Sequence, residues 1–300
     1  MKRILIVGSG DVARRAIPWL ARRFRVFALV RQAGDRAGLR ALGATPVLAD
    51  LDDRRSLRRL AGIADAVMHF APPPDHGTAD MRSARLAAAL ACASTLPQRL
   101  VYISTTGVYG DCDGRRIDES QPCRPRTARA QRRVDAERRL RRFGARNGVR
   151  VSVLRAPGIY AGDRLPLARL ERGEPVLRAE EDVHTNHIHA EDLARLACLA
   201  LFRAGAGRVY NAVDDTCMKM GDYFDFAADC FGLPRPPRLS RSELAARLSP
   251  MALSFMSESR QIDNRRIRRE LRARLLYPTV REGFAAAPGQ QATTNNPGAV

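Results

Sequence analysis

The sequence predicts an α/β fold, a Rossmann-like doubly wound parallel sheet with a smaller, mostly C-terminal substrate domain. Three observations carry that expectation. Short β-rich runs alternate with helix-compatible stretches through the first half of the chain. Several of these runs are apolar on both side-chain faces, as parallel strands covered by helices must be. The chain also opens with an apolar strand, a glycine turn and a helical run.

Taken in order, Arg3–Val7, Arg25–Val30, Thr45–Ala49, Ala66–Phe70, Arg99–Ser104 and Val149–Arg155 read as strands. Helical periodicity falls near Val12–Arg22, Leu39–Leu42, Ser56–Leu60, Arg82–Ala93 and Thr127–Phe143. Parallel neighbours need right-handed crossovers, so this order specifies a doubly wound sheet. Beyond it, Asp192–Phe202 and Tyr223–Phe231 read as helices around a short strand at Arg208–Asn211. Pro234, Pro236 and Pro237 close the second of them, Ser240–Leu248 starts another, and a last helix is expected over Asn264–Leu275. The domains are therefore expected at 1–160 (dinucleotide-binding core) and 161–284 (substrate side, with elements returning to the sheet). A disordered tail is expected at 285–300, where no apolar periodicity remains.

Composition narrows the class. The 300 residues are 45% hydrophobic and 28% charged, which excludes a disordered or collagen-like chain. No run of 18 apolar residues exists, so no spanning helix is expected, and the opening MKRILIVGSG is read as leaving no room for a leader. Six cysteines without a C-x-x-C pair read as reduced thiols of a cytoplasmic protein. Against 32 acidic residues stand 51 basic ones, of which only Lys2 and Lys219 are lysines. A nucleic-acid binder would show such a balance, but no recognition-helix or zinc-finger signature accompanies it. The charge is read as arginine bias at solvated positions, with no specific nucleic-acid partner.

The first chemical signal is Gly8-Ser-Gly10-Asp11-Val12-Ala13. Gly8 permits the tight turn, Gly10 lets backbone approach a pyrophosphate, and Ala13 is small enough for close strand–helix packing. The unpaired N–H groups of the helix start then face the anion. The second strand ends on Arg31, where an NAD site usually carries an acid; its planar fork suits a 2′-phosphate, so NADP is favoured and NAD stays compatible. Asp35 lies too far along to substitute for that acid. Asp50, at the end of the third strand, is placed to accept an adenine amino hydrogen bond. After the fourth strand, His69 is read either as a cofactor contact or as a satisfied core histidine. Ala71 and Pro72 open a stiff loop able to hold a ribose and pyrophosphate face.

The stretch from Val101 through Ser104, Thr105 and Thr106 to Val108-Tyr109-Gly110 resembles the fifth-strand motif of extended short-chain dehydrogenases/reductases. Leu154-Arg155-Ala-Pro157-Gly-Ile-Tyr160, Asn186-His187-Ile-His189-Ala-Glu-Asp192-Leu193 and Val209-Tyr210-Asn211 extend the resemblance over about residues 1–285. It is nearest to an atypical branch of NAD-dependent epimerase/dehydratase-like proteins. The resemblance implies that Thr105 orients a substrate oxygen, that Ser104 and Pro157 border the cofactor, and that the protein forms a homodimer. It also implies a Tyr-x-x-x-Lys pair on the next helix, but those positions fall on Arg129 and Arg133.

That replacement matters because an arginine stays protonated and is a poor general acid or base. Facing the crevice, the two arginines would suit a phosphate, pyrophosphate or carboxylate; facing solvent, they would be ordinary charges. Tyr109 and Tyr160 are the candidate replacement proton donors. On the substrate side the candidates are Arg129, Arg133, Tyr160, Arg164, Asn186, His187 and Arg260. His184, His187 and His189 lack accompanying acidic or thiolate ligands, so no metal is expected. The expectation is an NADP-dependent oxidoreductase or epimerase/dehydratase-like protein acting on a polar, nucleotide-linked or other small metabolite. The alternative is an NADP-binding redox sensor or interaction protein.

Overall fold

The computed structural model describes residues 2–287. Its centre is a seven-stranded, wholly parallel sheet. The first five strands are β1 (Arg3–Val7), β2 (Arg25–Val30), β3 (Ala44–Leu48), β4 (Ala66–His69) and β5 (Arg99–Thr105). Beside β5 lie Arg150–Ala156 and then Val209–Asn211, giving the spatial order 209–211, 150–156, β5, β4, β1, β2, β3. Strand β1 sits between β2 and β4, with Ile4 opposite both Val26 and Ala66. The reversal of winding at β1 opens a crevice at the C-terminal ends of β1 and β4.

Both faces of the sheet are covered. Ile4 and Ile6 pack with Ala13, Ile17, Leu193 and Leu201, whereas Leu5 and Val7 pack with Leu57, Leu86, Leu90 and Leu140. The covering helices are α1 (Asp11–Ala21), α2 (Arg36–Ala41), α3 (Met81–Ala91) and α4 (Ala128–Asn147). Asp80 caps α3 by accepting from the backbone N–H groups of Arg82 and Ser83, and Thr127 caps α4 by accepting from Ala130. Gly148, in the left-handed conformation, ends α4.

The central strands match the sequence pattern to within a residue or so, and the helices differ more. Ser56–Leu60 is a tight 3-10 turn. The helix expected over Ser240–Leu248 is only Arg241–Ala245, held by a Ser240/Glu243 capping box. The last predicted helix stops at Leu271, because Arg272 turns left-handed with φ of 50°. Helix Ala190–Arg203 packs on α1, and the strand Val209–Asn211 rejoins the sheet, so Rossmann elements continue well past residue 160. The smaller lobe has its own core of Tyr160, Leu170, Val176, Tyr223, Phe224, Val280 and Phe284. Of the expected tail, Ala285 closes a helix, Ala286 caps it and Ala287 is buried; residues 288–300 lie outside the described residues.

Among the described residues no helix is long and apolar enough to cross a membrane. None of the six cysteines forms a disulfide among the described residues.

Candidate functional site

The crevice begins at the glycine turn. Gly8 has φ of +95°, and a Cβ there would lie 2.3 Å from the Ala71 backbone nitrogen. That close approach exists because the Phe70 and Ala71 N–H groups both donate to the Val7 carbonyl, at 2.7 and 2.9 Å. Gly10 is different. Its φ is ordinary at −76°, it caps α1 without a side-chain hydrogen bond, and a Cβ there would meet nothing within 4 Å. The free N–H groups of Asp11, Val12 and Ala13 therefore begin the helix beside open space, the arrangement a pyrophosphate needs. The Asp11 carboxylate is drawn aside by Arg15 at 2.9 Å and Arg164 at 3.3 Å.

Next to this turn is a cleft of about 360 Å³ walled by Gly8, Ser9, Gly10, Arg14, Arg31, Gln32, Asp35, Asp50, Ala71, Pro72 and Arg82. Its size and polar walls suit an adenosine with its ribose. Arg14 leans across the mouth with its Nε donating to the Ser9 carbonyl at 3.2 Å. Neither Arg14 nor Arg31 forms an ion pair among the described residues, although the Arg31 charge acts at longer range on Asp52. Asp35, judged too distant from sequence, reaches the wall because the 3-10 turn Ala33–Asp35 folds back over the end of β2. Arg82 is occupied differently: its guanidinium grips Asp52 and donates to the Pro72 and Pro73 carbonyls at 3.3 Å. The Arg82 hydrogen bond holds the Asp52 carboxyl below its usual range.

The crevice continues along α4. An outer cleft of about 660 Å³ shares Pro72 and Arg82 with the first, and adds Pro73, Pro74, Pro250 and Met251. An inner cavity of about 250 Å³ shares Arg129, Arg133, Thr127 and Ser254 with the outer cleft and is closed by Thr105, Pro157, Phe255, Glu258 and Arg260. Thr105 accepts the Gly107 N–H at 3.3 Å, leaving its own hydroxyl proton to point elsewhere. The two arginines at the Tyr and Lys positions thus both face this end, but in unlike states. Arg133 donates to the Ile103 carbonyl at 2.7 Å and to the Tyr102 hydroxyl at 3.0 Å, pinning α4 to β5. Arg129 lies exposed in the cavity, its guanidinium 4.5 Å above the Phe255 ring. Arg260 pairs with Glu258 at 2.7 Å and also donates to the Gly110 carbonyl.

Several candidates lie elsewhere. Tyr109 is fully buried, its hydroxyl donates to Asn211 Oδ1 at 2.6 Å, and burial pushes its pKa up to about 12. Tyr160 is buried in the small lobe and donates to the Thr279 carbonyl at 3.1 Å. Neither hydroxyl borders the inner cavity, so neither occupies the place of the missing proton donor. His69 is the core histidine of the two readings: its Nε2 meets Ser83 at 2.9 Å, and burial, with Arg133 nearby, lowers its pKa to about 3. His187 stacks on Tyr223 with ring centroids 4.1 Å apart, and burial lowers its pKa likewise to about 3. Ser104 is buried and its hydroxyl has no partner among the described residues. Asn186 ties the Arg260 carbonyl to the Ile262 N–H and borders a separate cavity. Arg164 remains on the surface with Asp11.

Reasoning from sequence missed Arg14, Thr127, Phe255 and Glu258 as walls of the crevice, whereas the serines within residues 254–264 read as able to finish a polar pocket. Arg14 had a signal, since it stands one helical turn after Gly10. Among the described residues no group of His, Cys, Asp and Glu side chains is placed to hold a metal ion.

The sequence profile of the NAD dependent epimerase/dehydratase family matches residues 4–212. A conserved protein of unknown function from Silicibacter pomeroyi is 30% identical, with 99% of this chain and 100% of that chain covered at a TM-score of 0.80. A UDP-glucose 4-epimerase from Thermotoga maritima, solved with UDP-glucose, shares the fold at 16% identity and a TM-score of 0.77, covering 97% and 99% of the two chains. A dTDP-glucose 4,6-dehydratase from Streptomyces venezuelae, solved with NAD, does so at 20% identity and a TM-score of 0.77, covering 98% of each. No curated protein matches the chain by sequence. With its glycine turn, parallel sheet and matched profile, the chain belongs to the NAD dependent epimerase/dehydratase family.

Proposed function

We propose that the protein is an NADP-dependent oxidoreductase acting on a small polar metabolite. The observation that carries this reading is the adenosine-sized cleft with Arg14 and Arg31 at its mouth, neither in an ion pair among the described residues. Two such guanidiniums fit the extra phosphate that distinguishes NADP from NAD. Asp35 and Asp50 on the same wall oppose them, and the balance of these four groups sets the preference.

The cofactor would supply hydride exchange when bound. Gly8 and Gly10 shape the space for its pyrophosphate, and the first N–H groups of α1 hold that anion. At the other end, the Thr105 hydroxyl orients a substrate oxygen by donating to it. Glu258 is the carboxylate bordering that cavity and the group there able to accept a proton. Arg129 and Arg133 bind charge and do not shuttle protons. Six cysteines without a disulfide among the described residues are in keeping with a reducing, cytoplasmic setting.

Calorimetric titration of the purified protein with NADP and NAD tests the reading. NADP is expected to bind at least tenfold more tightly. Equal affinities would remove the NADP assignment, and absence of binding by either would remove the oxidoreductase.

A further inference from the structure

The inner cavity holds more positive charge than its neighbours cancel. Of its three guanidiniums, Arg260 is matched by Glu258, and Arg133 is bound only to the neutral Ile103 carbonyl and Tyr102 hydroxyl. Arg129 donates no hydrogen bond and makes no ion pair among the described residues; its contacts are the Phe255 ring and the more distant field of Glu258. The cavity walls partly desolvate this exposed guanidinium and lower its pKa, an effect that the Glu258 charge opposes and the Arg133 and Arg132 charges reinforce. The other side chains of α4 show that surplus charge alone does not produce this. Arg138, Arg141, Arg142 and Arg146 are exposed on the helix surface, while Arg129, exposed as well, borders a cavity with Thr105 and Thr127 beside it.

The adjoining outer cleft has a different character. Pro72, Pro73, Pro74, Pro250 and Met251 line it, and both Met251 and Phe255 are unusually exposed for large apolar residues, at 70% and 49%. A ligand spanning both spaces would place an anion on the arginine and an apolar body against the prolines. Arginine suits this role because its planar fork gives two parallel hydrogen bonds to carboxylate or phosphate oxygens.

We infer that the substrate carries an oxyanion, a carboxylate or phosphate, on an apolar body, and that Arg129 is its anchor. This deepens the proposed function and rests on its reading of the crevice as the substrate site. In this arrangement Arg129 fixes one end of the substrate while Thr105 orients the reacting oxygen. The residue at the family's tyrosine position has become a specificity-determining group.

The test is calorimetry at constant ionic strength, with and without saturating NADP, using benzoate, phenyl phosphate, acetate, inorganic phosphate and neutral benzyl alcohol as probes. Benzoate or phenyl phosphate is expected to bind saturably, at least tenfold more tightly than acetate, inorganic phosphate or benzyl alcohol; which of the two binds better identifies the oxyanion. Arg129→Gln should weaken that binding at least tenfold and Arg129→Lys less, with thermal melting confirming that both variants fold and NADP affinity unchanged within about twofold. The inference is overturned if neither aromatic anion saturates, if Arg129→Gln binds as well as the parent, or if benzyl alcohol binds equally. Equal binding of acetate and benzoate would overturn the apolar body. Arg129-dependent anion binding in a protein that takes no NADP would sink the cofactor reading and leave this one standing.

Discussion

Gly8 and Gly10 stand two residues apart in one turn, yet the structure gives them separable roles. Replacing Gly8 with alanine forces φ of +95° on a residue with a Cβ and places that atom 2.3 Å from Ala71 N and 2.6 Å from Ala71 Cα. The left-handed backbone costs about 1–2 kcal/mol. Relief requires moving the loop after β4, which strains the two hydrogen bonds from Phe70 and Ala71 to Val7, each worth about 0.5–1.5 kcal/mol. The expected loss is therefore about 2–5 kcal/mol, or about 4–10 °C at roughly 2 °C per kcal/mol for a chain of this size. Gly10→Val should behave otherwise. Its φ of −76° is allowed and its Cβ enters open space, so the stability cost is the poorer helix cap, about 1 kcal/mol. It should instead fill the pyrophosphate path and weaken dinucleotide binding by at least tenfold. Thermal unfolding by circular dichroism and cofactor calorimetry on both variants complete the comparison. Gly8→Ala melting within 1 °C of the parent, or Gly10→Val binding the cofactor normally, would refute the division of labour.

Other outcomes follow from the same geometry. Arg31→Glu should reduce NADP affinity at least tenfold more than NAD affinity; a parallel loss of both would show that the charge does not read the 2′-phosphate. Tyr109→Phe leaves Asn211 Oδ1 without its buried donor and should cost about 1–3 kcal/mol in urea unfolding, with cofactor affinity unchanged. Glu137→Ala removes the partner of Arg155 in an ion pair whose side chains are each only 5% exposed, and should cost about 3–5 kcal/mol. Burial raises the pKa of Asp214 to about 8, so the folded state holds this proton more tightly than the unfolded chain does. Its contribution to stability is thus present below the ordinary carboxyl range and is lost as pH climbs toward 8. Asp214→Asn should flatten the decline in melting temperature between pH 5 and 8, and an unaltered slope would show that another group governs it.

The sheet was legible because parallel strands buried on both faces leave contiguous apolar runs, and because glycine spacing marks where β1 ends. Counting from Pro125 and Glu137 put Arg129 and Arg133 at the tyrosine and lysine positions of α4 but left open whether they face crevice or solvent; in the structure both border the inner cavity. What the sequence does not encode locally is the direction of a polar tip. Tyr109 follows a strand end and reads as a crevice residue, yet its ring turns inward beneath the Arg155 guanidinium, 4.7 Å away. His69 likewise ends a strand and turns to Ser83 in the core. Phe255 and Glu258 were invisible as partners of Thr105 because about 150 residues of chain separate them. Only the return of the small lobe over the sheet brings them together.

The Arg82 guanidinium fastens Asp52, after β3, to the Pro72 and Pro73 carbonyls, after β4. Two connections that would otherwise fluctuate independently are thereby tied to the start of α3. Much of the ordering entropy for this part of the nucleotide pocket is thus met during folding, so an incoming dinucleotide meets a rim already in shape. Association there should then be limited by diffusion and steering, with no slow closure phase of these loops in stopped-flow traces.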